Sequence, residues 1–339
     1  MSQITYRAVE AVAPGRLEMT EKPLVDPPPG HVRIRVEACG VCHSDSGTVD
    51  GTLPIQYPRV PGHEAVGVID KVGEGVEGYA SGQRVGVGFL GGSCGHCARC
   101  RRGDLVSCMN QTFTGVEDDG GYAEVLVAKH SALASVPDAL KSEEAAPLLC
   151  AGLTTFSALR NAPAKAGDRV AILGIGGLGH LAVQFARRMG FEVVAIGRGA
   201  GTKDLAVRLG AHHFIDSASA DVSAALNALG GAAQVLVTAS GGRGVAESIR
   251  GLQPRGSVIV LGASPEPMEV ATRDLMFASR SIQGALTGDP ATADATMAFS
   301  VLTGVSPMVE TMPLARAADA YARMKSGDAR FRMVLTMRS

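Results

Sequence analysis

Residues 169–197 read RVAILG, IGGLGHLAVQFARRMG and FEVVAIG: an apolar strand pattern, a glycine-rich turn that opens a helix pattern, and a second strand. A strand, helix and strand in this order form a βαβ unit, which restricts the chain to a sheet with parallel strands. The pattern predicts strands over 169–174 and 192–197 and helices over 177–190 and 202–210. HHFID (212–216), AQVLV (233–237), SVIVLG (257–262) and SIQGAL (281–286) supply further strands separated by helix-length segments. A parallel doubly wound sheet follows.

The turn GIGGLG at 174–179 sits where a dinucleotide's pyrophosphate is bound in such sheets. Gly174 permits the tight turn, Gly176 and Gly177 let the backbone approach phosphate, and Gly179 allows close packing of helix on strand. A glycine-rich turn without a ligand is the alternative. An NAD site places an acid at the end of the second strand, whereas this chain has Gly197 and Arg198 there. Without the carboxylate, nothing repels a 2′-phosphate, and a guanidinium can grip it. NADP(H) is therefore the favoured cofactor, and Lys203 either adds charge there or is a helix-surface lysine. If Arg198 only faces solvent, NAD(H) binds instead.

The rest of the chain has a different rhythm. Up to about residue 130 it shows short β-rich runs at 32–38, 64–72, 83–89 and 122–128, which suggest a barrel or sandwich. Ser142 is positioned to cap a helix continuing through Leu159, and after Gly288 a helix at 290–303, a strand near Val309, a helix at 315–325 and a strand at 331–337 are expected. With 339 residues the chain has room for two domains, and 43 glycines imply many tight turns. Its 32 basic and 33 acidic residues leave a net charge of −1, which argues against a nucleic-acid or membrane-surface partner. The start, MSQITYRAVE, lacks the basic and apolar regions of a secretory signal, so a cytoplasmic protein is expected. The uncharged stretch from Val222 to Gly242 is long enough to span a bilayer, but Asn227, Gln234, Thr238 and the Gly230-Gly231 pair interrupt it.

Seven cysteines are present, and four of them, Cys94, Cys97, Cys100 and Cys108, are spaced C-x2-C-x2-C-x7-C. Four thiolates close a tetrahedral zinc site with no position left for substrate, so such a site is structural. An iron–sulfur cluster is conceivable from the spacing alone. Arg99, Arg101 and Arg102 would offset the excess negative charge, and His96 reads as a solvated side chain. Further candidate ligands are Cys42 and His43 in CGVCHSD, His63 with Glu64 in VPGHEAVG, and Cys150 in EEAAPLLCAGLT. Each is weak alone. Cys150 sits among apolar residues like a small core side chain, and Cys39 could pair with Cys42 as a redox motif.

Taken together, CGVCHSD, GHEAVGVI, CGHCARCRRGDLVSC, PLLCAGLT and GIGGLG resemble, in order and over nearly the whole chain, the zinc-dependent alcohol dehydrogenases of the medium-chain dehydrogenase/reductase family. The resemblance implies an α/β protein with a GroES-like β-rich catalytic domain over 1–150, a Rossmann domain over 151–287 and a return to the catalytic domain over 288–339. The active site would lie in the cleft between the domains. It implies Cys42, His63 and Cys150 as catalytic zinc ligands and the four-cysteine cluster as a second, structural zinc site. Asp45 becomes the carboxylate that orients the ligand histidine, and Glu64 a carboxylate behind the metal. His43 and Arg332 are implied near the cofactor's pyrophosphate, and Phe89 and Leu90 along an apolar substrate cleft. The reaction implied is reversible hydride transfer between a primary or secondary alcohol, as its aldehyde or ketone in reverse, and NAD(P), with Ser44 accepting the alcohol's proton. A homodimer or homotetramer is implied as well. One departure stands out: relatives often carry histidine three positions after this serine to end the proton relay, and this chain has Gly47. The alternatives are a zinc-independent quinone or enone reductase, which needs none of the cysteines, and a non-catalytic zinc-bearing binding protein.

Overall fold

The computed structural model describes residues 4–239, 242–264 and 267–337. It forms two compact units, Met1–Leu153 with Gly288–Ser339, and Thr154–Thr287.

In the first unit a hairpin, β1 (Thr5–Ala13) and β2 (Arg16–Pro23), precedes a seven-stranded sheet. The sheet contains β3 (His31–Val41), β4 (Ala65–Val72), β5 (Arg84–Val87), β6 (Val125–Lys129) and β7 (Leu133–Ser135). The 11-residue β3 organises it. One edge pairs with β4, while the other is shared, its first half by β6 and its last residues by a strand from the far end of the sequence. Val32, Ile34 and Val36 of β3 point into a core with Ile69, Val85, Val87 and Leu126. The alternation buries one face and delivers the chain to Cys42 as the strand ends.

The helix expected over 142–159 is three pieces. A turn at α2 (Ser142–Ala145) and a 3-10 turn at 146–149 precede α3 (Ala151–Arg160). Pro147 lacks an N–H, and Cys150, at φ −129° and ψ −73°, leaves helical geometry. Ser142 does not cap this segment. It is the first helical residue, and its hydroxyl donates to Glu37 and accepts from Arg84.

The second unit is the parallel sheet: β8 (Arg169–Leu173), α4 (Gly179–Arg188), β9 (Glu192–Gly197), α5 (Ala200–Leu209), β10 (His213–Asp216), α6 (Val222–Ala228), β11 (Ala232–Val237), α7 (Gly242–Arg250), β12 (Leu252–Val260), α8 (Thr272–Met276) and β13 (Ser281–Gly284). Its order is β10-β9-β8-β11-β12-β13, and every pairing is parallel. Order reverses between β8 and β11, which opens a crevice at their carboxyl ends, where doubly wound sheets bind ligands. The uncharged stretch from Val222 divides between α6 and β11, with Ser240 and Gly241 outside the described residues. Among the described residues no helix is long and apolar enough to cross a membrane. The chain then returns to the first unit through α9 (Pro290–Thr303), β14 (Val309–Pro313), α10 (Ala317–Ser326) and β15 (Arg332–Thr336), the strand that completes β3's second edge.

Candidate functional site

Within the first unit, Cys42 at the end of β3, His63 before β4, and Cys150 at the break before α3 converge although far apart in sequence. One ligand atom from each, together with a Glu64 carboxylate oxygen, lies within 4.8 Å of all the others. The Cys42 and Cys150 sulfurs are 3.8 Å apart. Zinc–thiolate arms of about 2.3 Å in a tetrahedron span an edge of about 3.8 Å, so the spacing fits a zinc ion. His63 is 2% exposed, its Nδ1 lies 2.8 Å from Asp45, and its Nε2 has no hydrogen-bond partner among the described residues. A buried ring nitrogen without a partner is costly unless something binds there.

The ionisable groups of this cluster shift one another strongly. The hydrogen bond from Cys150, then the His63 and Arg332 charges, hold the Cys42 thiol well below its ordinary value, although burial opposes them. The same sulfur pair and burial push Cys150 up. Burial alone would lower His63, but the Asp45 and Cys42 charges reverse that and raise it. Behind these groups, burial pushes the Glu64 carboxyl up to about 7 against the opposing pull of Arg332. Arg332, expected near a pyrophosphate, is buried with its Nη2 donating to Glu64 Oε1, while Glu64 Oε2 has no partner among the described residues.

His43, Ser44 and Asp45 form a single 3-10 turn directly after Cys42. Its geometry turns Asp45 inward and leaves His43 and Ser44 exposed. Of the two residues expected along a substrate cleft, Phe89 packs edge-on to the His63 ring at 5.1 Å and stacks on Phe113 at 4.7 Å. Leu90 is buried instead, beside a small cavity that Leu149 and Leu153 also line.

The second cluster is made of Cys94, Cys97, Cys100 and Cys108, with all four sulfurs within 4.8 Å of one another. Backbone N–H groups of Cys97 and Cys94 point at the sulfurs of Cys94 and Cys108, each at 3.4 Å. Hydrogen bonds from Asn110 and the backbone bring Cys94 down to about 5, whereas Cys100 is pushed up to about 12 by burial and its thiol neighbours. Four converging sulfurs with donors aimed at them match a closed tetrahedral site. His96 is exposed, its ring nitrogen 2.7 Å from the Cys94 carbonyl.

In the second unit, Gly174 follows β8 with φ +96°, a conformation that favours glycine. A Cβ on Gly179 would stand 1.8 Å from the Gly174 carbonyl oxygen, so the helix can pack this close only with glycine there. At Gly176 a Cβ would meet nothing within 4 Å, leaving open space beside the turn, and Gly177 follows it. Two residues outside the glycine motif complete the turn. Thr238, after β11, donates to the Gly174 carbonyl at 2.7 Å, and His180 Nδ1 donates to the Gly176 carbonyl at 2.9 Å. Gly197 ends β9 and Arg198 is exposed beyond it. Asp216, paired with Gly197 across the strands, accepts from the Gly199 and Ala218 N–H groups, at 3.3 and 3.0 Å. Strand pairing alone brings it there, so no local spacing announces it.

Comparison with known proteins accords with both units. Residues 28–138 match the alcohol dehydrogenase GroES-like domain, and residues 177–301 match the zinc-binding dehydrogenase domain. An alcohol dehydrogenase from an Aspergillus species is 39% identical over 99% of both chains. The NADP-dependent alcohol dehydrogenase C of Mycobacterium bovis is 36% identical over 97% of both. The structure of a cinnamyl alcohol dehydrogenase from Sorghum bicolor superposes with a TM-score of 0.90 at 31% identity, covering 98% of each chain. The chain belongs to the alcohol dehydrogenases of the medium-chain dehydrogenase/reductase family, with a GroES-like domain and a Rossmann-type sheet.

Proposed function

We propose that the chain is a zinc-dependent alcohol dehydrogenase that prefers NADP(H) and interconverts primary or secondary alcohols with aldehydes or ketones. The observation that carries this reading is the pair of sulfurs 3.8 Å apart facing a buried histidine whose Nε2 has no hydrogen-bond partner among the described residues. Cys42, His63 and Cys150 would hold the zinc, which would supply a Lewis acid for the substrate oxygen, and NADP(H) would supply or take the hydride. Around it, Asp45 fixes the His63 tautomer, and Arg332 balances the charge of Glu64. Phe89 gives the site an apolar wall. Cys94, Cys97, Cys100 and Cys108 hold a second zinc that ties their lobe together. In the second unit, Gly174, Gly176, Gly177 and Gly179 shape a pyrophosphate cradle, and in the first unit His43 is exposed as a phosphate donor of its own. The test is a panel of alcohols assayed with both cofactors, before and after zinc is stripped by a chelator. Turnover unaffected by complete loss of zinc would point to the zinc-independent reductase reading.

Preference for NADP(H) rests on Gly197 and Arg198, and an NADP-dependent relative at 36% identity supports it. The neighbouring acid, Asp216, is occupied by two backbone N–H groups. Arg198→Ala is expected to lower the ratio of kcat/KM for NADP over NAD by about 10- to 100-fold, the equivalent of a charge-assisted bond of about 1.5–3 kcal/mol. A wild type that prefers NAD, or an unchanged ratio in the variant, contradicts the assignment.

The exposed Ser44 hydroxyl receives the alcohol's proton and passes it to solvent, since Gly47 offers no side chain. Ser44→Ala is therefore expected to lose about 10²-fold or more in turnover. Gly47 lies in a short helix, α1 (Ser46–Val49), and its added Cβ would meet the Leu53 Cδ1 methyl at 2.6 Å. Leu53 is 43% exposed and can swing aside. Gly47→His is expected to fold and to speed alcohol oxidation most at low pH, where hydroxide is scarce, by less than about 10²-fold because water already serves. The pH–rate profile, recorded with the melting temperature, checks this; a stable variant with the wild-type profile means the proton leaves by another route.

A further inference from the structure

We infer that Tyr122 is a positioning residue for the Cys42, His63 and Cys150 site, acting through Asp45. The inference rests on the zinc reading above and adds a residue that neither the motifs nor the ligand set points to.

Asp45 is 3% exposed, and three donors from three parts of the chain converge on its carboxylate. Oδ2 accepts from the Cys42 N–H at 2.9 Å and from the Tyr122 hydroxyl at 2.8 Å, while Oδ1 faces His63 Nδ1 at 2.8 Å. The Cys42 N–H alone would leave the carboxylate free to swivel about that bond. A second donor on the same oxygen removes the swivel and keeps Oδ1 aimed at the imidazole. The ring is then held with Nε2 toward the sulfurs, the orientation a metal needs.

Tyr122 is itself rigidly placed. It is fully buried, its N–H donates to the Pro61 carbonyl at 3.0 Å, and its carbonyl accepts from the Val9 N–H at 2.8 Å. Its ring packs on Gly62, the residue before His63: a Cβ at Gly62 would lie 2.4 Å from Tyr122 Cδ1. The side chain thus flanks His63 indirectly, with its ring against Gly62 and its hydroxyl on Asp45. A buried hydroxyl costs free energy unless it is bonded, and phenylalanine would fill the same space without that cost. Among the described residues the hydroxyl's one hydrogen bond is to the carboxylate behind the histidine.

Tyr122→Phe separates the two contacts, because it keeps the ring on Gly62 and removes only the hydroxyl. Zinc release from the purified holoenzyme to a chromophoric chelator is the measurement, with the visible spectrum of the cobalt-substituted enzyme as a second readout. Partners one step behind a ligand affect metal affinity about 10- to 100-fold, and Tyr122 stands one step further back. The expected result is about tenfold faster release of one zinc per chain, an unchanged rate for the other, and a shifted cobalt spectrum. Because Tyr122 acts through Asp45, a Tyr122→Phe/Asp45→Asn double variant should release zinc no faster than Asp45→Asn alone. If Asp45→Asn does not fold, the cobalt spectrum decides. Wild-type release rates and spectrum in Tyr122→Phe, equal acceleration of both zincs, or additive effects in the double variant would each overturn the inference. A wild type that binds no zinc through Cys150 would overturn the zinc reading itself, before Tyr122 is tested.

Discussion

Cys150→Ser is expected to remove all but a trace of alcohol oxidation while leaving a folded chain. The sulfur it replaces stands 3.8 Å from Cys42, at the break between the 3-10 turn and α3. A serine hydroxyl in that place is far less acidic than a thiol and stays protonated, so it neither closes the ligand set nor balances the metal's charge. Losing a Lewis acid costs several kcal/mol of transition-state stabilisation, so kcat/KM is expected to fall by about 10³-fold or more. Metal analysis should find the zinc content reduced from two to one per chain, with the circular dichroism spectrum unchanged. A variant that keeps a substantial share of wild-type activity, or that loses the other zinc instead, refutes the roles assigned to the two clusters.

Cys97→Ser is expected to act on the fold instead. The lobe from Cys94 to Cys108 has only one short 3-10 turn, at Cys100–Arg102, to order it. Binding of a structural zinc by such a segment is worth about 10–16 kcal/mol in small domains, and that free energy is also folding free energy. If the larger unit absorbs most of the loss and about 3 kcal/mol remains, the melting temperature should drop by roughly 10 °C. At low temperature the zinc at Cys42, His63 and Cys150 should stay bound and residual turnover should be measurable. Calorimetry with metal analysis on the same sample checks both, and an unshifted transition would show that the lobe orders itself without metal.

What could be read from sequence follows from where the information lies. Helix α9 was legible to the residue because its punctuation is local: Asp289 accepts from the Thr292 N–H, Pro290 opens the helix, and Gly304 closes it with φ +73°. Strand β9, a buried apolar run closed by glycine, was equally legible. The expected single helix over 142–159 fails because its apolar pattern runs unbroken through Pro147 and Cys150, while the backbone leaves helical geometry at Cys150. The hairpin β1–β2 was missed because β2, RLEMTEKP, carries four charged residues and is mostly exposed or half-exposed, so it lacks a clear apolar face. At the site, the motifs carried the candidate ligands, but their partners come from tertiary structure. Tyr122 reaches Asp45 across 77 residues, and Arg332 reaches Glu64 across 268. No periodicity or spacing links residues so far apart.

The late pairing of β15 with β3 has a consequence for the order in which the molecule is made. During synthesis β3 and Glu64 leave the ribosome early, but the strand that covers β3's last residues follows only after all of Thr154–Thr287. Until then the end of β3 that leads to Cys42 has an open edge, and Glu64 has no guanidinium beside it. The inserted unit is continuous in sequence and can fold as it emerges. The unit that gathers Cys42, His63 and Cys150 must wait. On a growing chain the parallel sheet can therefore fold before the last strand reaches the edge of β3 and brings Arg332 to Glu64.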